Sequence, residues 1–266
     1  MCDLSAYVEG LGFLGPGIAD WTEARAVLRH EAAYRPDKTR YPFVASLPAN
    51  ERRRSSAVVR LALSVGLEAA AHAEAAPKEM PAVFASSGGD NYNCHAICEQ
   101  LATGDRLLSP TRFHNSVTNA PAGYWSIATG SMASSTTICA YDASFGAGLL
   151  EALSQVAMDG ARCIFIAYDY DYPEPLHGVR PIPDGLAVAL VLTPWRTRRS
   201  VAALRATLTG DAAHRLAEGP LEDMRLAIPA ARALPLLRLI ADEGAGHVVL
   251  DYLDSARIAV EITPCT

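Results

Sequence analysis

Apolar side chains recur along this chain at two spacings that alternate from the first residues to the last. Between Asn50 and Ala76, Val58, Leu61, Val65 and Ala69 fall three or four residues apart, the period that builds one face of a core-facing helix. The same reasoning predicts a helix in "TEARAVLRHEAA", capped by Asp20 or Thr22, and another in "NYNCHAICEQLATG", stopped by Gly104. A short helix is expected from Ala120 to Ala128, ending at Gly130, after an extended start in "LSPTRFHNSVTN". Ala147, Leu150 and "EALSQVAMDG" predict a further helix closed by Gly160. "SVAALRATLTGDAAHRLAEG" and "AARALPLLRLIADEG" carry helical patterns as well.

Short apolar runs fill the gaps between these helices. "AYVEGLGFL", "MPAVFA", "TTIC", "ARCIFIAYDYD", "GLAVALVLTP", "HVVLDYLD" and "RIAVEIT" predict strands, of which "TTIC" would be the end of a buried one. Alternation of this kind implies an α/β fold, with a mixed or mostly parallel sheet covered by helices.

Composition narrows the class. The 266 residues are 50% hydrophobic and 20% charged, ordinary for a globular protein with a sizeable core. A net charge of -6 argues against gripping nucleic acid, which needs a basic stripe to displace counterions. No basic-then-apolar leader opens the chain and no apolar run approaches the roughly 18 residues that span a bilayer, so a cytoplasmic protein without a membrane span is expected. The six cysteines, Cys2, Cys94, Cys98, Cys139, Cys163 and Cys265, are scattered, which speaks against a disulfide framework.

Candidate chemistry centres on "TTICAYDASFGAG", residues 136–148, where a β-rich run stops and small residues open a helix. Such a joint can mount a reactive side chain, and Cys139, Asp142 and Ser144 are the candidates. Elsewhere the plainer reading prevails. Cys94, His95 and Cys98 suggest a metal cluster, since C-x-x-x-C on a helix puts both sulfurs on one face, but no second pair completes the four ligands of a structural zinc site. The histidines are dispersed. Asp169, Asp171 and Glu174 in "AYDYDYPEP" could act as paired carboxylates or hold a cation, but the better fit is a polar loop leaving a buried strand with its Tyr side chains packing outward. "GLGFLGPG" lacks the G-x-G-x-x-G spacing of a dinucleotide loop. No metal or cofactor is expected.

Taken in order, several segments resemble the β-ketoacyl synthases. "YVEGLGFLGPGI" resembles their opening strand and turn, and "RRRSSAVVRLALSVGLEAA" their Arg-rich helix start and Ala-rich helix. "FHNSVTNAPAGYWSIATG" resembles the segment before the active site, and "STTICAYDASFGAGLLEAL" the strand, nucleophile and buried helix. The likeness runs over residues 5–195 and is greatest to the shortened ketosynthase-like proteins, the chain length factors of aryl polyene and xanthomonadin-type pigment synthesis. It implies a thiolase-like fold with a ketosynthase N-terminal-like domain over residues 1–195 and a truncated second half, residues 196–266, packed on the same core.

Two departures bear on activity. Asp142 falls where an active ketosynthase carries its cysteine, and a carboxylate there forms no durable thioester. At a helix N-terminus it is instead expected to cap free N–H groups. The family's two later histidines, in His-Gly-Thr-Gly-Thr and Gly-His segments, have no counterpart in this chain. The resemblance therefore implies a non-catalytic subunit that forms a heterodimer with a full-length β-ketoacyl-ACP synthase, and through it serves an acyl carrier protein. It would place Phe113, His114, Asn115, Val117, Asn119 and Tyr124 toward the partner and its acyl tunnel, with Thr136, Thr137 and Ile138 pairing the partner's matching strand. Arg52 to Arg54, or Arg196, Arg198 and Arg199, would meet an acidic carrier protein, or else simply be solvated helix starts. The rival is a stand-alone acyltransferase or thioesterase using Cys139 or Ser144 with His114 as base, and a third reading is a homodimeric module that binds acyl chains.

Overall fold

The computed structural model describes residues 4–265, so Cys2 lies outside the described residues. Strand β1 (Leu4–Leu14) leads through a tight turn at Gly15 to Ile18 into helix α1 (Trp21–Leu28), capped by the Asp20 carboxylate, which accepts the Glu23 N–H at 2.8 Å. Helices α2 (Ala49–Arg54) and α3 (Ala57–His72) follow, then β2 (Ala82–Ala85) and α4 (Asn91–Ala102). Next come α5 (Pro110–Ser116), α6 (Ala120–Thr129), β3 (Ser135–Ile138) and α7 (Ser144–Asp159). Strands β4 (Cys163–Asp169) and β5 (Leu186–Thr193) flank the one-turn α8 (Leu176–Val179). The rest is β6 (Ala202–Thr209), α9 (Pro220–Ala227), α10 (Leu234–Ala241), β7 (Gly246–Leu250) and β8 (Arg257–Pro264).

Among the described residues eight strands form one mixed sheet, in the order β3-β2-β4-β5-β1-β6-β8-β7. Only β2 makes parallel pairs, with β3 and β4, and the other pairings are antiparallel, so the mostly parallel alternative is corrected. Helix α3 covers one face of the sheet, its Leu61 and Val65 packing with Phe84, Ile164 and Val191. On the other face α7, α1 and α10 bury Leu149, Val27 and Leu237 against Leu11, Phe165 and Val260. The glycines of "GLGF" make the first layer possible, because a Cβ at Gly10 or Gly12 would strike the Ala69 or Val65 carbonyl of α3. They serve helix-on-strand approach.

Three elements differ from the expected pattern. Residues 200–219 were expected as a helix and instead form β6 and an irregular segment, because Ala202, Leu204 and Ala206 are buried while Arg205 is exposed, a period of two. The "SPTRFHNS" stretch, expected as extended, is α5, with Pro110 in the first turn and the Ser109 hydroxyl accepting the Arg112 N–H. The long helix from Asn50 is two helices, since Ser55 is extended (ψ 129°) and the Ser56 hydroxyl accepts the Val59 N–H to start α3 afresh.

Candidate functional site

Strand β3 ends the sheet, bonded to β2 on one side only. It was expected to be buried; its residues are instead half-buried or exposed. The Ala82 and Ser86 N–H groups donate to the Ser134 and Ile138 carbonyls at 3.0 and 3.1 Å. Because successive peptide groups of a strand point to opposite sides, the Thr137 N–H and carbonyl then face the open edge.

Beyond Ile138 the chain turns sharply at Tyr141, whose φ of 53° is left-handed, through a 3₁₀ turn at Tyr141–Ala143 and into α7. Ser144, fully buried, braces this turn: its hydroxyl accepts the Ala140 N–H at 3.0 Å and donates to the Tyr141 carbonyl at 2.7 Å. That leaves the hydroxyl no general base. Cys139 lies past the end of the strand and is exposed, which corrects its expected place inside the packing. Partial desolvation nonetheless pushes its thiol pKa up, and the Asp169 carboxylate acts in the same direction, opposite to what a thiolate nucleophile needs. His114 stacks edge-on against Tyr124, ring centroids 5.4 Å apart, and among the described residues no hydrogen bond joins it to Cys139 or Ser144.

Asp142 does not cap α7, which has no side-chain cap. Its carboxylate is claimed from two distant segments. Arg180 Nη2 donates to Oδ1 at 2.6 Å, Arg232 Nη2 lies 3.3 Å from Oδ2, and Arg232 Nη1 donates to the Asp142 carbonyl at 2.9 Å. The Arg180 guanidinium also stacks 3.7 Å above the Tyr141 ring. Two cations draw off the charge that was expected to serve the helix terminus.

The acidic segment after β4 divides. Asp169, fully buried, accepts the Ser87 and Ala230 N–H groups, each at 2.7 Å, and burial pushes its pKa up to about 6 against the pull of these bonds. Asp171 accepts the Tyr92 hydroxyl at 2.9 Å, and Glu174 is exposed. Cys94 and Cys98 are exposed on α4, and desolvation followed by the neighbouring Cys98 raises the Cys94 pKa. Among the described residues no three His, Cys, Asp or Glu side chains are grouped to hold a metal ion.

Of the residues expected to face a partner, Phe113, His114, Val117 and Asn119 are exposed, and Thr136, Thr137 and Ile138 sit half-buried on the free edge. Asn115 and Tyr124 are corrected: both are buried, and the Asn115 amide donates to the Arg54 carbonyl at 2.8 Å. Met132 and Ile127 were not anticipated. They add exposed apolar surface on or next to α6, which contacts both α5 and β3. Met132 is a lone apolar residue in a loop and carries no period by which to find it, whereas Ile127 lies within the expected helix, on a face its pattern did not single out.

Comparison with known proteins places this geometry. None of the curated proteins matches the chain. A ketosynthase in complex with its chain length factor from Xenorhabdus doucetiae is similar at 22% identity and a TM-score of 0.74, over 97% of this chain and 99% of that one. The ishigamide ketosynthase/chain length factor is similar at 14% identity and 0.73, over 98% and 100%. A type II polyketide synthase structure, an acyl-carrier protein in complex with its hexaketide-bound ketosynthase, follows at 10% and 0.70, over 99% and 100%. The fold is that of the thiolase-like ketosynthases. Residues 21–234 match the family model described as the β-ketoacyl synthase N-terminal domain, and the chain belongs to that family.

Proposed function

We propose that this chain is a non-catalytic chain length factor, which pairs with an active full-length β-ketoacyl-ACP synthase and shapes the tunnel for the growing chain. One observation carries the reading: Asp142, which the resemblance puts in the nucleophile's place, is a carboxylate held by Arg180 and Arg232 in the turn after a strand whose outer edge is free. Condensation needs a thiolate to hold the acyl group, and the turn offers none with a lowered pKa. An open edge strand, by contrast, invites pairing with another chain. Exposed Phe113, Val117, Ile127 and Met132 lie on or beside α5 and α6, the latter in contact with that strand, and offer the apolar surface an obligate interface requires.

An aryl polyene as product, an acyl carrier protein as the indirect partner and a cytoplasmic location complete the proposal. Among the described residues no helix is long and apolar enough to cross a membrane. The stand-alone acyltransferase reading loses support from Ser144, whose hydroxyl is already spent on the turn.

Co-expression with a full-length ketosynthase from the same source tests the reading. A complex of one copy of each is expected on affinity purification and size exclusion; a ketosynthase that never co-purifies would sink it. Incubation with an acylated carrier protein is expected to leave the mass of this chain unchanged. Alkylation alone does not separate the readings, because Cys139 is exposed.

A further inference from the structure

Helix α4 carries two thiols on one face. Cys94 and Cys98 stand four residues apart, one turn along the helix, and both are exposed. The Cys98 side chain lies close enough to act on the Cys94 thiol through a hydrogen bond. The pair is therefore already together in the folded chain and open to a reagent from solvent.

The helix that bears them is weakly anchored. None of its 12 residues is buried, and it packs chiefly on α5 rather than on the sheet. Near its C-terminus, Gln100 Nε2 donates to Asp105 Oδ2 at 2.9 Å and to the Leu107 carbonyl at 3.0 Å, and both bonds are exposed. An element held by so few buried contacts opens locally at small cost.

A disulfide across this turn needs that freedom. The helix sets the two Cα atoms about 6 Å apart, inside the span of a disulfide, but the Cβ atoms about 5–6 Å apart, beyond the roughly 4.5 Å it allows. Closing the bond requires a local shift, which α7, with its buried apolar face, would resist and α4 permits. The resulting bridge is exposed and strained, the kind that thiols reopen.

We propose that Cys94 and Cys98 form a reversible dithiol site, oxidised to an intrahelical disulfide by a low-molecular-weight disulfide such as oxidised glutathione. The Cys98 thiolate attacks one glutathione sulfur and expels a glutathione thiolate. Cys94 then attacks the Cys98 sulfur of the mixed disulfide and expels the second. The protein thiols give up two electrons and two protons, and one oxidised glutathione becomes two reduced molecules. Desolvation raises the Cys94 pKa, which suits Cys94 to the second attack, an intramolecular step that proceeds with little thiolate. The site rests on α4 alone and stands whether or not the chain pairs with a ketosynthase.

The full chain, incubated with millimolar oxidised glutathione at about pH 8, where thiolates form, then alkylated with iodoacetamide and digested with trypsin, tests the site. Cleavage after Lys78 and Arg106 leaves both cysteines on one peptide, apart from the other four. That peptide is expected to be two hydrogens lighter than its reduced form and to carry no alkyl group, with at least about tenfold more of the bridged form than of any glutathione adduct. Dithiothreitol should restore two alkylated cysteines. Cys94→Ser, at an exposed position, should stop the reaction at a glutathione adduct on Cys98. Two alkylated cysteines after the treatment, or adducts that accumulate without closing, would overturn the proposal.

Discussion

Asp142 and Asp169 are carboxylates near the same turn, and their neighbours give them different work. Asp142 joins three segments through Arg180 and Arg232, so Asp142→Cys would restore a thiol without a base and leave two arginines facing it. The variant should acquire no acyl-transfer activity, read as an unchanged intact mass after incubation with an acylated carrier. With the carboxylate 40% exposed, loss of the pair should cost only about 1 kcal/mol in denaturant unfolding. Asp169 is the opposite case. Its folded pKa of about 6 stands above the ordinary 3.8, so the folded state binds the proton more tightly. That contribution is complete below about pH 4 and is lost as pH rises toward 6, on the order of 3 kcal/mol. Glu68, which accepts the Phe13 and Trp21 N–H groups, acts likewise, since burial lifts it from 4.5 to about 7. Urea unfolding from pH 4 to 7.5 should show the wild type losing stability more steeply than Asp169→Asn, with the difference confined below about pH 6. A parallel pair of curves would refute this account of Asp169.

Strand β3 is the element on which the interface claim turns. Thr137 presents its N–H outward while its neighbours bond β2, so Thr137→Pro removes a donor from the free edge and spares the ladder within the chain. The chain should keep its circular dichroism spectrum and lose its ketosynthase on affinity purification; retention of the complex would exclude pairing through this edge. Legibility divides along the same lines. Helices α3 and α7 were plain in the sequence because their apolar period and the left-handed Gly160 agree with the fold. Strand β6 was hidden because "VAALRATLTG" satisfies both periods, and only its place between β1 and β8 selects the strand. The seven residues of α5 were too few to show a period. Asp142 was misassigned for a different reason: local sequence offers a helix terminus, but the arginines that win the carboxylate lie 38 and 90 residues away.

Across the whole molecule, residues 196–265 complete the structure that the earlier residues begin. Strand β1 lies between β5 and β6, so it has one partner from each part of the chain. At its bulge, between Val8 and Gly10, buried Glu9 accepts from Arg162 Nε at 2.7 Å and from the Thr197 hydroxyl at 2.6 Å, one donor from each side of residue 195. The turn depends on the later residues as well, through Arg232 on Asp142 and the Ala230 N–H on Asp169. One apolar core holds Leu11 and Phe165 with Leu204, Leu237 and Val260. Cutting after Trp195 would strip β1 of its β6 partner, leave Glu9 without the Thr197 hydroxyl and bare one side of that core, costs larger than the marginal stability of a domain. The 1–195 fragment is therefore expected to be insoluble or to lack a cooperative thermal transition, while the full chain unfolds in one. A soluble, cooperatively melting fragment would instead mean that residues 1–195 hold a core of their own, with β6, β8 and β7 added to a finished fold.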